Sequence, residues 1–239
     1  MTIKTIAIVA AMEQEARAIC PASQKGRLDE FETLSGTLKS GLKYKCIISG
    51  IGIKRAAKAA RLLCEEKPDL MLSVGVSGGL APGLSAGTLV AATTIHSDLA
   101  EYSPWHENDQ DTKIRSELFP TCGDMQCGRL ITAGQPVLTP QEKVFMHDRT
   151  GALAVDMESI AVAQTAQKSG IPFSCIRAIS DDSNRKIPAE SMAGVDEIGK
   201  TKLEPILKAI LKRPPLILEL IPMGLDYSKA LKALGSILK

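Results

Sequence analysis

A chain of 239 residues with 44% hydrophobic content can bury one large core but is short for two domains, and a formal charge of +2 offers no general case for a nucleic-acid partner. The charge is uneven: residues 1–199 carry −3 and residues 200–239 carry +5. Six scattered cysteines (Cys20, Cys46, Cys64, Cys122, Cys127, Cys175), three of them within apolar runs, read as free thiols of a reducing compartment; Cys122 and Cys127 gain no ligand cluster from His96, His106 and His147, so neither a metal nor a bridge is expected.

From the N-terminus, the first apolar run ends in acids rather than in a cleavage signal, and no run approaches bilayer length, which predicts a cytoplasmic protein. Strand-length apolar runs then recur at TIAIVAA, YKCIISG, DLMLSVGVS, TLVAATTI, GRLITAG, GALAV and FSCIRAIS. Most are continuous rather than alternating, as in strands covered on both faces. Helical spacing separates them, clearest in IKRAAKAARLLCEEK and in MESIAVAQTAQKSG, which stops at Gly170 with Pro172 just beyond. The class is therefore α/β, a single-domain mixed sheet flanked by helices. Ser97 to Cys127 is polar, holds the lone Trp105, and reads as a long excursion over one edge. Residues 200–239 read as two or three short basic amphipathic helices of the same domain, broken at Pro214-Pro215 and at Pro222, with the spacing to lie on an anionic membrane surface or to pack on their own domain.

Ligands of open α/β sheets collect at the carboxyl ends of strands. Three predicted strands end in acid there: Glu13 and Glu15, Asp156 and Glu158, Asp181 and Asp182. Any one such pair reads as a helix cap, since the dipole favours acids in a first turn; three in one chain point to a site. Two more strands end in glycine turns, Ser49–Gly52 and Val74–Gly83, where a ligand could approach the backbone. Neither has the spacing of a triphosphate or dinucleotide loop.

In this order, AAMEQEA, SGIG, VGVSGGLAPGLSAGTLV, GALAVDMES and IRAISDDS resemble the motifs of the purine nucleoside phosphorylase and methylthioadenosine/S-adenosylhomocysteine nucleosidase superfamily, over about residues 3–185. The resemblance implies cleavage of a purine–ribose N-glycosidic bond without metal or organic cofactor, by a protein that is usually a homo-oligomer. It implies that Glu15 activates the attacking water, Glu158 holds the ribose hydroxyls, Met157 packs under the sugar and Asp181 protonates the purine at N7, oriented by Ser180. Val76, Ser77 and Gly78 would lie beside the sugar and nucleophile, and Val137 and Leu138 beside the purine, where nucleosidases commonly offer an aromatic residue. The roles suit the chemistry: carboxylates stabilise an oxocarbenium-like sugar, and a purine departs readily once protonated. Asp181 would then have to hold a proton part of the time, as burial allows; Asp156 would be a cap or a partner of Glu158.

Phosphorylases of the superfamily hold phosphate with arginines and a serine at the first and third loops; here acids occupy the first, and Ser73 and Val76 stand at the matching positions of the third. Water is the expected nucleophile, and Arg177, inside a buried run, is expected to be structural. DMES, the D-x-x-x-R-x-I-P stretch from Asp181 to Pro188, and the C-terminal RP with apolar helices resemble the hopanoid-associated branch, which implies removal of adenine from adenosylhopane. A nucleosidase for small 5′-thio adenosines, a phosphorylase, and a nucleoside-binding protein that kept the fold stand as alternatives.

Overall fold

The computed structural model describes residues 3–20, 23–119, 125–192 and 203–238. Cys122, Lys200, Lys202 and Lys239 lie outside these, so the readings that rest on them concern undescribed positions.

The first half runs β1 (Thr5–Ala10), α1 (Glu13–Ile19), β2 (Gln24–Leu28), β3 (Phe31–Thr37), β4 (Lys43–Ile48), α2 (Ile53–Cys64), β5 (Leu70–Gly79) and β6 (Leu89–Ser97). Then come β7 (Trp105–His106), α3 (Asp109–Leu118), β8 (Gln126–Thr132), α4 (Pro140–Thr150), β9 (Ala154–Asp156), α5 (Ser159–Lys168), β10 (Phe173–Asp181), α6 (Ala189–Met192), α7 (Leu203–Lys212) and α8 (Leu216–Leu234). The class is the mixed α/β sheet with flanking helices that the apolar runs predict.

The sheet also closes on itself, which the runs do not reveal. From the edge it passes β2, β3, β4, β1 to β5; β5 pairs in parallel with β10, β10 antiparallel with β6, β6 in parallel with β8, β8 with β9, and β9 returns antiparallel to β5. Strands of the ring's interior are covered on both sides, which accounts for their unbroken hydrophobicity. Along β1, Ile6, Ile8 and Ala10 join one core with Ala16 and Ile19 of α1 and Ala230 and Leu234 of α8, while Ala7 and Val9 join another with Ala56, Ala59 and Leu63 of α2 and Val162 and Ala166 of α5. The period-2 pleat splits one continuous run between two cores.

The polar excursion is tied down rather than loose. Trp105 of β7 pairs its strand with β6, is 2% exposed and meets the Phe173 ring edge-on at 5.0 Å. The Asp111 carboxylate, buried in the first turn of α3, accepts the Phe173 N–H at 2.9 Å. In the tail the expectation needs correction: Pro214-Pro215 separates α7 from α8, but α8 runs through Pro222. The missing N–H leaves the Leu218 carbonyl, on a residue 72% exposed, to water, so the proline is tolerated there.

Candidate active site

The acid-tipped strands β1 and β10 run parallel on either side of β5, so their carboxyl ends meet on one edge, and β9 brings Asp156 to the same place. Glu15, two residues into α1, is 2% exposed. Its Oε2 accepts the Met12 N–H at 2.9 Å, the backbone half of a capping box, and its Oε1 accepts the Val76 N–H at 2.8 Å. Burial pushes its carboxyl above the ordinary range, against those amide donors and Arg177. The contact with β5 is as close as glycine permits: a Cβ on Gly75 would stand 2.9 Å from Glu15 Oε1.

Glu158 lies across from it. Its Oε1 accepts the Gly52 N–H at 2.7 Å, presented by a turn in which Gly52 has φ 102°, a conformation only glycine adopts without strain. Burial first, and then neighbouring Asp156, push Glu158 up to about 8. Glu15 and Glu158 line one cavity of about 10 Å³ with Ser49, Ser73, Val76 and Arg177. Met157, partly exposed, separates Glu158 from Asp156.

Asp156 is both a cap and the acid partner of Arg177. Its Oδ1 accepts the Ser159 N–H at the start of α5 (3.3 Å) and the Thr132 hydroxyl (2.8 Å); its Oδ2 accepts Arg177 Nε at 2.8 Å and the Ser159 hydroxyl. Arg177, 3% exposed, also donates to the Ser73 and Ser159 hydroxyls at 2.9 and 2.8 Å. With a further bond to the Ile176 carbonyl at 3.2 Å, four hydrogen bonds engage its guanidinium at the cavity wall. Burial opposes its charge, but Cys175 and the acids Asp156, Glu158 and Glu15 together push Arg177 up.

Asp181 ends β10 opposite Gly78 of β5, two residues beyond the Val76 that holds Glu15. Ser180 donates its hydroxyl to Asp181 Oδ1 at 2.6 Å and also lies 3.2 Å from the Ser77 carbonyl. The Ser77 hydroxyl itself is buried with no hydrogen-bond partner among the described residues. The other oxygen of Asp181 meets a group that sequence reasoning missed: Lys143 of α4, 0% exposed, with Nζ 2.5 Å from Oδ2. Asp181 therefore has a cation in contact as well as a hydroxyl. Nothing in the polar stretch TPQEKVFMHDR distinguishes that lysine from a solvated one.

Val137 and Leu138 follow β8 as expected. Val137 packs against Leu80, Ile131 and Val155, and the Leu138 carbonyl accepts the Ile187 N–H at 2.8 Å, tying the 182–188 segment to the same wall. A larger depression of 730 Å³ lies at the edge formed by β2, β3 and β4, but its lining (Ser23, Gln24, Ser35, Gly36, Thr37, Lys43, Tyr44) holds no acid. The acids gather at the smaller cavity. Among the described residues no group of three His, Cys, Asp or Glu side chains is arranged to hold a metal, and no helix is long and apolar enough to cross a membrane.

A buried carboxylate on a strand-end amide, a second across a small cavity, and a third at the end of the adjacent strand make up the candidate site, and a family model described as the phosphorylase superfamily matches residues 5–212. The chain belongs to that superfamily. It is 30% identical over 230 residues, spanning 86% of this chain and 98% of the relative, to a 5′-methylthioadenosine/S-adenosylhomocysteine nucleosidase of Lysinibacillus sphaericus, and 26% identical to that of Shewanella oneidensis over 81% and 91% of the two chains. The fold is that of the Neisseria meningitidis nucleosidase solved with methylthio-immucillin-A (TM-score 0.72, 22% identity, 99% of each chain). It is also that of Helicobacter pylori futalosine hydrolase (TM-score 0.71, 18% identity, 98% and 97% of the chains).

Proposed function

We propose that the protein is a purine nucleosidase that hydrolyses the N-glycosidic bond of a 5′-substituted adenosine. The observation that carries this reading is Glu15: a carboxylate held by the Val76 and Met12 amides, raised by burial toward the range of a general base, on the wall of a cavity it shares with Glu158. Glu15 takes a proton from water as the water attacks C1′. Glu158 holds the ribose hydroxyls, over Met157, and the negative charge of the acids favours the positive sugar of the transition state. Asp181, steadied by Ser180, serves purine N7; Val76, Ser77 and Gly78 border the sugar, with the partnerless Ser77 hydroxyl available to substrate. Val137 and Leu138 form an aliphatic wall for the base.

Water is favoured over phosphate by the same geometry. The one arginine lining the cavity is already held by Asp156, Ser73 and Ser159, which leaves no unengaged cation there for a phosphate dianion. The similarity to nucleosidases of methylthioadenosine and S-adenosylhomocysteine supports a small 5′-thio substrate.

A second reading, adenosylhopane, is favoured by α8. Its C-terminal half reaches the site: Tyr227 donates its hydroxyl to Met12 Sδ at 3.9 Å, and Asp226 pairs with Arg185 at 2.7 Å. Its N-terminal half exposes Leu218, Ile221 and Leu225 on one face, beside exposed Leu211 and the cations Lys212 and Arg213. Such a stripe could take a bulky apolar 5′ group or rest on a membrane surface facing the cytoplasm. We also infer a homo-oligomer, for which exposed Val144 and Phe145 of α4 offer an apolar surface; sedimentation of the purified protein tests it.

The deciding assay is adenine release from methylthioadenosine and from adenosylhopane, each with and without phosphate. Release without phosphate is expected. Strict phosphate dependence sinks the hydrolytic reading, release from adenosylhopane alone selects the lipid substrate, and release from neither leaves a nucleoside-binding protein.

A further inference from the structure

Arg55 stands where helix electrostatics alone would not put it. Helix α2 starts at Gly52 without a capping side chain, and its first turn holds Lys54 and Arg55 but no acid, so the dipole opposes both cations. Lys54 is exposed, whereas Arg55 is half-buried and engaged on three sides. Its Nε donates to the Ser49 carbonyl at 2.6 Å, its guanidinium carbon lies 5.1 Å from the centre of the buried Phe31 ring, and its Nη1 is 3.7 Å from Glu30 Oε1. The ring and the acid aim the planar guanidinium, and the carbonyl is what it holds.

That carbonyl belongs to the glycine turn that presents an amide to Glu158. Gly50 and Gly52 have φ of 78° and 102°, and two glycines leave the turn free to take other shapes unless its ends are tied. The Ser49 and Gly50 N–H groups donate to the Ala10 and Ala11 carbonyls at 2.8 and 3.0 Å, which fixes the first half of the turn to the end of β1. Arg55 ties that half to the first turn of α2. Between the two ties lies the Gly52 N–H, which meets Glu158 Oε1 at 2.7 Å. The other oxygen of Glu158 has only a longer contact, 3.3 Å from the Met157 N–H, so the Gly52 amide is its firmest hold. Ser49 and Glu158 line the cavity and Arg55 does not.

We infer that Arg55 is a positioning residue for Glu158: by bonding the Ser49 carbonyl it sets the Gly52 amide, and through that amide the carboxyl that receives the ribose hydroxyls. The inference rests on the nucleosidase reading above for the role of Glu158. It has a specific consequence, because a substrate then senses Arg55 only through its 2′ and 3′ hydroxyls.

The test compares a ligand that has those hydroxyls with one that lacks them. Arg55→Met and Arg55→Ala are assayed for adenine release from methylthioadenosine, with its 2′,3′-dideoxy analogue measured as a competitive inhibitor. Both variants remove the donor from a side chain that is 28% exposed, and either one that folds decides. The KM for methylthioadenosine is expected to rise about tenfold, the size of one lost charge-assisted hydrogen bond, with kcat within about threefold and the inhibition constant of the dideoxy analogue within about twofold of wild type. A general loosening of the site would weaken both ligands alike. Equal losses on the two ligands, a loss confined to kcat, or no loss would overturn the inference while leaving the nucleosidase reading intact. A wild-type protein that releases no adenine would overturn both.

Discussion

The two ends of the cleft solve opposite electrostatic problems. At the sugar end three buried or nearly buried acids, Glu15, Asp156 and Glu158, face one cation, Arg177, which gives most of its hydrogen bonds to Asp156 and to serines. Acid is in excess, so burial raises Glu15 and takes Glu158 to about 8. At the base end a single acid, Asp181, has its own cation and its own hydroxyl, Lys143 and Ser180. The contrast suits the chemistry proposed for each end: a surplus of carboxyl groups beside a sugar that becomes positive, and a balanced pair beside a base that must collect one proton.

The contrast can be broken most severely at its general base. Glu15→Gln keeps the shape of the side chain but cannot accept a proton from water; kcat for adenine release should fall about 1,000-fold with KM little changed, and a loss below tenfold would remove Glu15 from the chemistry. Next in size is the cation below the acids. Arg177→Met leaves Asp156 buried and without its counter-charge, which should cost about 3–5 kcal/mol in urea unfolding; a change under about 1 kcal/mol would mean that the serines and Thr132 suffice.

Glu158 sharpens the comparison through pH. Its folded value lies above the unfolded 4.5, so the native protein binds more protons than the unfolded chain between about pH 4.5 and about 8. Stability from this group is therefore greatest at low pH and declines as pH rises through that window, by at most about 1.4 kcal/mol per unit. Glu158→Gln should remove that slope, gaining on wild type from pH 5 to pH 8 in parallel unfolding curves; parallel pH profiles would contradict the excess-acid picture. The smallest effect is expected far from the acids. Replacing Leu218, Ile221 and Leu225 by serine should alter stability by less than about 0.5 kcal/mol, because these side chains are exposed, and yet weaken binding to anionic vesicles. Unchanged vesicle binding would remove the membrane reading of α8.

Much of the site was visible in the chain before folding. Glu15, Glu158 and Asp181 stand at the ends of apolar runs beside Glu13, Asp156 and Asp182; position marks the three pairs, and the family resemblance points to one acid in each. Their partners gave no such signal. Lys143 lies in a polar helix, Thr132 and Ser73 are small polar residues within strands, and the Gly52 amide belongs to a turn more than a hundred residues from Glu158. The β2–β3 hairpin was equally silent, because the exposed QKGRL of β2 has no apolar face to read.

The sequence alone therefore determined the local features: where strands and helices alternate, which strand ends hold acids, and that most strands are covered on both faces, since hydrophobic periodicity depends on neighbours along the chain. Tertiary structure decided the rest. It closed β5, β10, β6, β8 and β9 into a ring, carried α8 over Met12, and set a buried lysine against Asp181 from a helix 38 residues away. Strand pairing and ion pairing join residues that chain spacing leaves unrelated, and the charge state of a carboxyl group depends on which cation and how much water the finished fold leaves beside it.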